Sequence, residues 1–263
     1  MMRPQPSDGF VWVQAAGGAA LVCGPLRPLA DHLFTTRAWA LGSGSGTDEE
    51  WAPVAAALGV DLAHLIRVHQ VHGAAVVVRR AGDPLPSGPR RDADVIVSND
   101  ASVALAIQTA DCVPLLIADS KSGAVAAAHA GWRGLAARVP AAAVDALARE
   151  FNARPADLVA AIGPCISSPA YEVGADVGER FAAAGFSGDQ LARWFSDGER
   201  DGHWQFDGWQ AARDQLEAAG LPAQQVHLAA LCTASYPDLL CSYRRDGTRA
   251  GRMAAAIRSR ASA

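Results

Sequence analysis

A chain of 263 residues, half of them hydrophobic, can bury a sizeable core and fits one large domain spanning residues 1–263. Its net charge of -4 and scattered Lys and Arg residues give no basic footprint for nucleic acid, so no polyanion partner is expected. No stretch approaches membrane-spanning length, and the opening "MMRPQPSDGFVWVQAAGGAALVCG" interrupts any signal-like apolar run with polar residues and glycines, which predicts a cytoplasmic protein without a membrane partner.

Strands are predicted near residues 10–14 and 19–23, followed by a flexible Gly/Ser-rich loop, "LGSGSGTDEE", and an Ala-rich helix near 50–58. The run "IRVHQVHGAAVVV", residues 66–78, reads as a strand through its β-branched residues. Alternation then puts Gln70 and His72 on one face and His69 on the other, so the two histidines cannot easily serve one metal. "RRAGDPLPSGPRRDAD" is a turn-rich surface connection. Short strands follow in "VIVS", "VALAI", "PLLIA" and "AVAAAH", the last two joined by the hairpin turn "ADSKSGA". Helices are predicted at about 134–150, 174–184 and 207–219, with strands near 158–162 and 226–231. The mixture indicates an α/β or α+β class.

The five cysteines (Cys23, Cys112, Cys165, Cys232, Cys241) are odd in number and form no C-x-x-C pair, so neither a disulfide framework nor a structural zinc finger is expected. The chemistry gathers where strands end. "TADCVPLLIAD" puts Asp111 and Cys112 at the start of an apolar run, and "AAAHAGWRGLAAR" ends a strand on His129 just before a Gly-flanked turn opens a helix. His72, Cys112 and His129 would supply two imidazoles and a thiolate, a donor set that suits Zn²⁺ and leaves a fourth position for water. Taken singly, each of the three is more often an ordinary core residue than a reactive or ligating one.

The segments "FTTR" (34–37), "QVHG" (70–73), "TADCVPLL" (109–116), "HAGWRG" (129–134), "IGPCIS" (162–167), "YEVG" (171–174), "CT" (232–233) and "SYRRDGTRAGRM" (242–253) resemble the YfiH family, also called the laccase-domain, polyphenol oxidase or multicopper oxidase-like family. The resemblance implies packed mixed β-sheets flanked by helices. It also implies that His72, Cys112 and His129 ligate the metal and that His69 does not. The implied activity is phosphorolysis of adenosine, inosine and methylthioadenosine to base and ribose 1-phosphate, with adenosine deamination as a second reaction.

The family name suggests copper chemistry, but seven histidines without an H-x-H pair cannot build a multicopper cluster. A single adventitious Cu would give weak polyphenol oxidation at most. The H-x-E and P-C-x-x-C deaminase signature is absent, so Asp111 and Glu172 are the candidates to carry protons, Asp111 equally as an orienter of a ligand or a turn residue. Backbone N–H groups of "HAGWRG", with Arg133 and Arg37, are expected to bind phosphate, and Trp132 to stack on a purine or pack against the sheet. Arg244, Arg245 and Arg252 could add charge or pair with carboxylates. One departure is the region after Arg37, "FTTRAWALGSGSGTDEEWAPVAAALG", which is shorter than in family members and lacks their Asn-Arg pair. Two other readings remain: a cysteine hydrolase or peptidoglycan-editing factor using Cys112 and His129, and a non-catalytic protein stabilised by a metal. The oligomeric state is open.

Overall fold

The computed structural model describes residues 3–42 and 47–260. Residues 43–46, within the expected Gly/Ser-rich loop, lie outside the described residues. The strands in chain order are β1 (Phe10–Ala15), β2 (Gly18–Cys23), β3 (Ala30–Thr35), β4 (Leu65–Ile66), β5 (Val76–Arg79), β6 (Val95–Ser98), β7 (Ala104–Thr109) and β8 (Val113–Asp119). They continue with β9 (Val125–Ala130), β10 (Leu158–Ile162), β11 (Glu172–Gly174), β12 (Phe195–Asp197), β13 (His203–Phe206), β14 (Val226–Leu228) and β15 (Met253–Ser259). The helices are α1 (Ala52–Ala57), α2 (Trp132–Ala136), α3 (Val139–Phe151), α4 (Ala175–Ala183), α5 (Gly188–Trp194), α6 (Gly208–Ala218) and α7 (Tyr243–Asp246).

Two six-stranded sheets, ordered β1-β2-β3-β15-β7-β4 and β14-β10-β8-β9-β6-β5, form the centre of a mixed α/β fold, and β11, β13 and β12 make a small third sheet. Leu105, Ile107 and Ile257 of the first sheet share one core with Ile96, Leu116 and Val125 of the second, so the two sheets bury these faces against each other. The outer face of the second sheet packs on α3 and α6 through Val144, Leu147 and Leu216. The outer face of the first carries Trp39, Trp51 and Val54. Strands buried on both faces need no polar alternation, which is why "VPLLIAD" and "VAAAHA" are apolar almost throughout.

The structure corrects three expectations. Residues 66–78 are not one strand: the ladder stops after Ile66 and resumes at Val76, with an isolated bridge from His69 to Asp92 between them, and His72 lies in the left-handed region at φ 60°. The buried Asp94 carboxylate accepts the N–H groups of Val71, His72 and Gly73, which bends this segment out of any ladder. The single helix expected at 134–150 is two, α2 and α3, divided at Arg138, whose φ is 62°. The strand expected at 226–231 ends at Leu228.

Candidate active site

Strand register assembles the site. In the β8–β9 hairpin Val113 pairs with Ala130 and Pro114 with His129, so Cys112, one residue before β8, lies beside the end of β9. Thr109 closes the turn by donating its hydroxyl to the Cys112 carbonyl at 2.6 Å. On the other side of β9, Val95 pairs with Ala128, which puts Asp94 next to His129. The same Asp94 holds the 71–73 bend and thereby brings in His72. One carboxylate thus fixes two of the three residues.

The ligand atoms of His72, Cys112 and His129 all lie within 4.8 Å of one another, and they form the one group of this kind among the described residues. The Cys112 Sγ and His72 Nε2 are 4.0 Å apart, and the two imidazoles meet edge to face at a centroid distance of 4.9 Å. Gly131 is required by this closeness: a Cβ there would lie 2.9 Å from the Cys112 sulfur and 3.0 Å from the His72 ring. His129 is buried and its Nδ1 contacts the Asp94 Oδ1 at 2.8 Å, leaving Nε2 as its ligand atom toward the thiol.

The electrostatics favour a deprotonated sulfur. Burial acts to raise the Cys112 thiol, but the charge of His129 and hydrogen bonds from His129 and His72 outweigh it and hold the thiol well below its ordinary range. Burial acts to lower His129, and the thiolate and the Asp94 hydrogen bond reverse this and raise it. Two imidazoles and a thiolate, with the tautomer of one imidazole fixed by a carboxylate, could hold a metal ion.

The group opens into a cleft of about 500 Å³ lined by Gln70, Gln108, Trp132, Tyr171 and Tyr243 together with Arg133, Arg244 and Arg252. Arg133 lies over the Trp132 ring at 4.2 Å and Arg244 over Tyr171 at 5.0 Å. The Arg252 guanidinium donates to the carbonyls of Ala250 and Gly251. No carboxylate pairs with any of these three arginines among the described residues, so aromatic faces and carbonyls orient them and their positive charge stays available.

Other residues singled out in the sequence fall elsewhere. Arg37 is outside the cleft lining and pairs with Asp246 at 2.6 Å. Glu172 is also outside it: its carboxylate binds the Arg200 guanidinium and the N–H groups of Glu199 and Arg200. Arg245 pairs with Asp246. Asp111, by contrast, lines the cleft: at φ 90° it accepts from the Thr233 hydroxyl at 2.5 Å and the Arg244 N–H at 2.6 Å, and so ties the C-terminal "SYRRDG" segment to the cleft. His69 is exposed and pairs with the exposed Asp92 at 2.7 Å. Sequence reasoning missed Asp94, Gln108 and Tyr171. An acid directly before the apolar run "VIV" was the signal pointing to Asp94.

Residues 46–260 match the family described as "Multi-copper polyphenol oxidoreductase laccase". A purine nucleoside phosphorylase of Bacteroides thetaiotaomicron is 40% identical over 164 residues, 62% of this chain and 60% of that protein's length. One from Deinococcus radiodurans is 38% identical over 240 residues, 86% of this chain and 88% of its own. An adenosine deaminase RL5 from an unknown prokaryotic organism is 33% identical over 201 residues, 74% of this chain and 75% of that one. The crystal structure of a Bacillus licheniformis hypothetical protein YfiH superposes with a TM-score of 0.85 at 26% identity, covering 97% of this chain and all of that one. The chain belongs to this laccase-domain family, the YfiH family.

Proposed function

We propose that this protein is a zinc-dependent purine nucleoside enzyme, which cleaves adenosine, inosine and methylthioadenosine with phosphate to a free base and ribose 1-phosphate and deaminates adenosine as a second reaction. The observation that carries this reading is one cleft holding both a two-imidazole, one-thiolate group and three arginines with no carboxylate partner among the described residues. Relatives named purine nucleoside phosphorylase and adenosine deaminase support the nucleoside class. Zn²⁺ fits the donor set better than a copper cluster, because three donors in one group cannot ligate several coppers. When bound, the metal supplies Lewis-acid charge at the floor of the cleft.

In phosphorolysis a phosphate oxygen bonds to the ribose C1′ as the bond from C1′ to the base nitrogen breaks and its electron pair leaves with the base. Arg133, Arg244 and Arg252 would hold the anion in position for that attack and offset its charge. Asp111 acts as a positioning residue, since its two carboxylate oxygens hold Thr233 and the backbone of Arg244. Trp132 and Tyr171 provide flat apolar surface for a purine, and the Gln108 carboxamide a polar group at the same wall. The expected products of adenosine are adenine and ribose 1-phosphate with phosphate present, and a small yield of inosine without it, separated by chromatography. Absence of both products from metal-loaded protein would refute the reading.

The contact between Asp94 and His129 favours a second reading. Cys112, His129 and Asp94 are ordered as nucleophile, base and orienter, the arrangement of a cysteine hydrolase. Purified metal-free protein that reacts rapidly with iodoacetamide at Cys112 and hydrolyses an amide would support this second reading against the first.

A further inference from the structure

The edges of the two large sheets meet at a second cleft of about 450 Å³, and nothing in the nucleoside chemistry uses it. β4 is the edge strand of one sheet and β5 the edge strand of the other, and the 86–91 segment closes the opening between them. Four arginines line it, Arg67, Arg79, Arg90 and Arg91, against a single acid, Asp48. Aliphatic side chains complete the lining: Leu65, Ile66 and Val77 are buried, and Leu62 and Val78 are partly exposed.

The charges in this cleft are not balanced. Asp48 is exposed and accepts from both Arg67 and Arg90, so one carboxylate is shared by two guanidiniums. Arg67 lies over the Trp51 ring at 4.5 Å, and burial together with the nearby charge of Arg90 pulls its pKa down. Arg79 is 8% exposed. Its terminal nitrogen donates to the Asp83 carbonyl at 3.1 Å, while its buried Nε has no acceptor among the described residues. A buried guanidinium donor left without a partner is unfavourable unless something accepts from the group. Neither Arg79 nor Arg91 pairs with a carboxylate among the described residues.

The geometry points to a second anion site, built for a small molecule that bears a diphosphate on an apolar body. Several planar N–H forks around one cavity match an anion with many acceptor oxygens and more than one charge, which a single carboxylate does not provide. The aliphatic wall takes up the apolar body. The site also touches the catalytic cleft through the backbone. The Arg91 carbonyl accepts the His69 N–H at 2.9 Å, and three residues on, Asp94 holds the bend that carries His72.

Calorimetric titration of the full chain at low ionic strength with inorganic pyrophosphate, and separately with geranyl diphosphate, tests this. An Arg133→Ala/Arg244→Ala double variant, which disables anion binding in the catalytic cleft, should keep saturable binding of both probes, with geranyl diphosphate the tighter. Arg79→Met and Arg91→Gln in that background should each weaken it about ten- to a hundredfold, the loss expected for one charge-assisted contact. If Arg79→Met fails to fold, the exposed Arg91→Gln decides the matter alone. Loss of all binding in the double variant, or unchanged affinity in Arg91→Gln, would overturn the site. Equal affinity for the two probes would overturn the apolar body.

Discussion

Asp94 Oδ1 and His129 Nδ1 are 2.8 Å apart, and both side chains are almost fully withdrawn from solvent. The carboxylate also accepts three consecutive backbone N–H groups, from Val71, His72 and Gly73. Burial works to raise Asp94, but the His129 hydrogen bond and the N–H groups outweigh it and keep it ionised. This residue therefore organises the proposed metal site without belonging to the donor set. Asp94→Asn replaces an acceptor oxygen with an N–H₂ and removes the charge that fixes the His129 tautomer. Zinc affinity should fall about ten- to a hundredfold, as for other carboxylate partners of ligating histidines, in a competition titration with a chromogenic chelator. Unchanged affinity would show that the tautomer is fixed by other means.

The two histidines of residues 66–78 should separate cleanly. His72→Ala removes a proposed ligand and should abolish both tight zinc binding and turnover. His69→Ala removes an exposed pair with Asp92, worth at most about 1 kcal/mol, and should leave zinc content and activity near wild type. Equal loss in both variants, measured as zinc per chain and turnover of adenosine, would contradict the assignment.

Arg133 lies in the cleft with its guanidinium over Trp132 and no carboxylate partner among the described residues. If it holds phosphate, Arg133→Ala should raise the phosphate KM about ten- to a hundredfold while phosphate-independent deamination changes little. Packing alone would lower both activities together and reduce the melting temperature. Steady-state kinetics of both reactions on one preparation distinguishes the two outcomes.

A pH effect on stability follows from His32, which lies on β3 and outside the cleft lining. Its Nε2 accepts the Cys23 N–H and its Nδ1 meets the Ala30 carbonyl, a pattern only the neutral ring satisfies. Burial, more than any neighbouring group, lowers it from 6.5 to about 4. Between these values the unfolded chain binds the proton and the folded chain does not, so stability is retained above about pH 6.5 and falls as pH drops toward 4. The loss is on the order of 3 kcal/mol for the full shift. Urea unfolding of wild type and His32→Gln across that interval should show the wild-type advantage shrinking with acidification. A difference independent of pH would contradict it.

Much of the framework was legible because its signals are local. The hairpins β1–β2 and β8–β9 stand out as apolar runs around turn residues, and Cys112 and His129 fall at strand ends as the pattern indicated. The bend at 67–75 was not legible, since the left-handed His72 is imposed by a carboxylate 22 positions along the chain. Alternation along a strand therefore gave the wrong physical reason for separating His69 from His72. The helix α5 was missed although Ser187 and Gln190 form a capping box at its start. Asp111 is held by partners 122 and 133 residues along the chain and Glu172 by residues 27 and 28 along it, in a hairpin the sequence did not reveal, so the fold engages two carboxylates that the sequence offered as proton carriers. The cationic character of the cleft was partly legible: Arg133 of "HAGWRG" and Arg244 and Arg252 of "SYRRDGTRAGRM" line it, whereas Arg37 and Arg245 are drawn off to Asp246.

In the proposed reaction, a metal held by His72, Cys112 and His129 serves nucleoside chemistry. The most direct test is elemental analysis of the purified protein, followed by adenosine turnover with phosphate before chelation, after chelation and after zinc is restored. The expected result is about one zinc per chain, production of adenine and ribose 1-phosphate that disappears with the metal and returns with it, and no zinc in Cys112→Ala although that variant still folds. Full zinc occupancy in Cys112→Ala, or undiminished turnover by the metal-free protein, would contradict it.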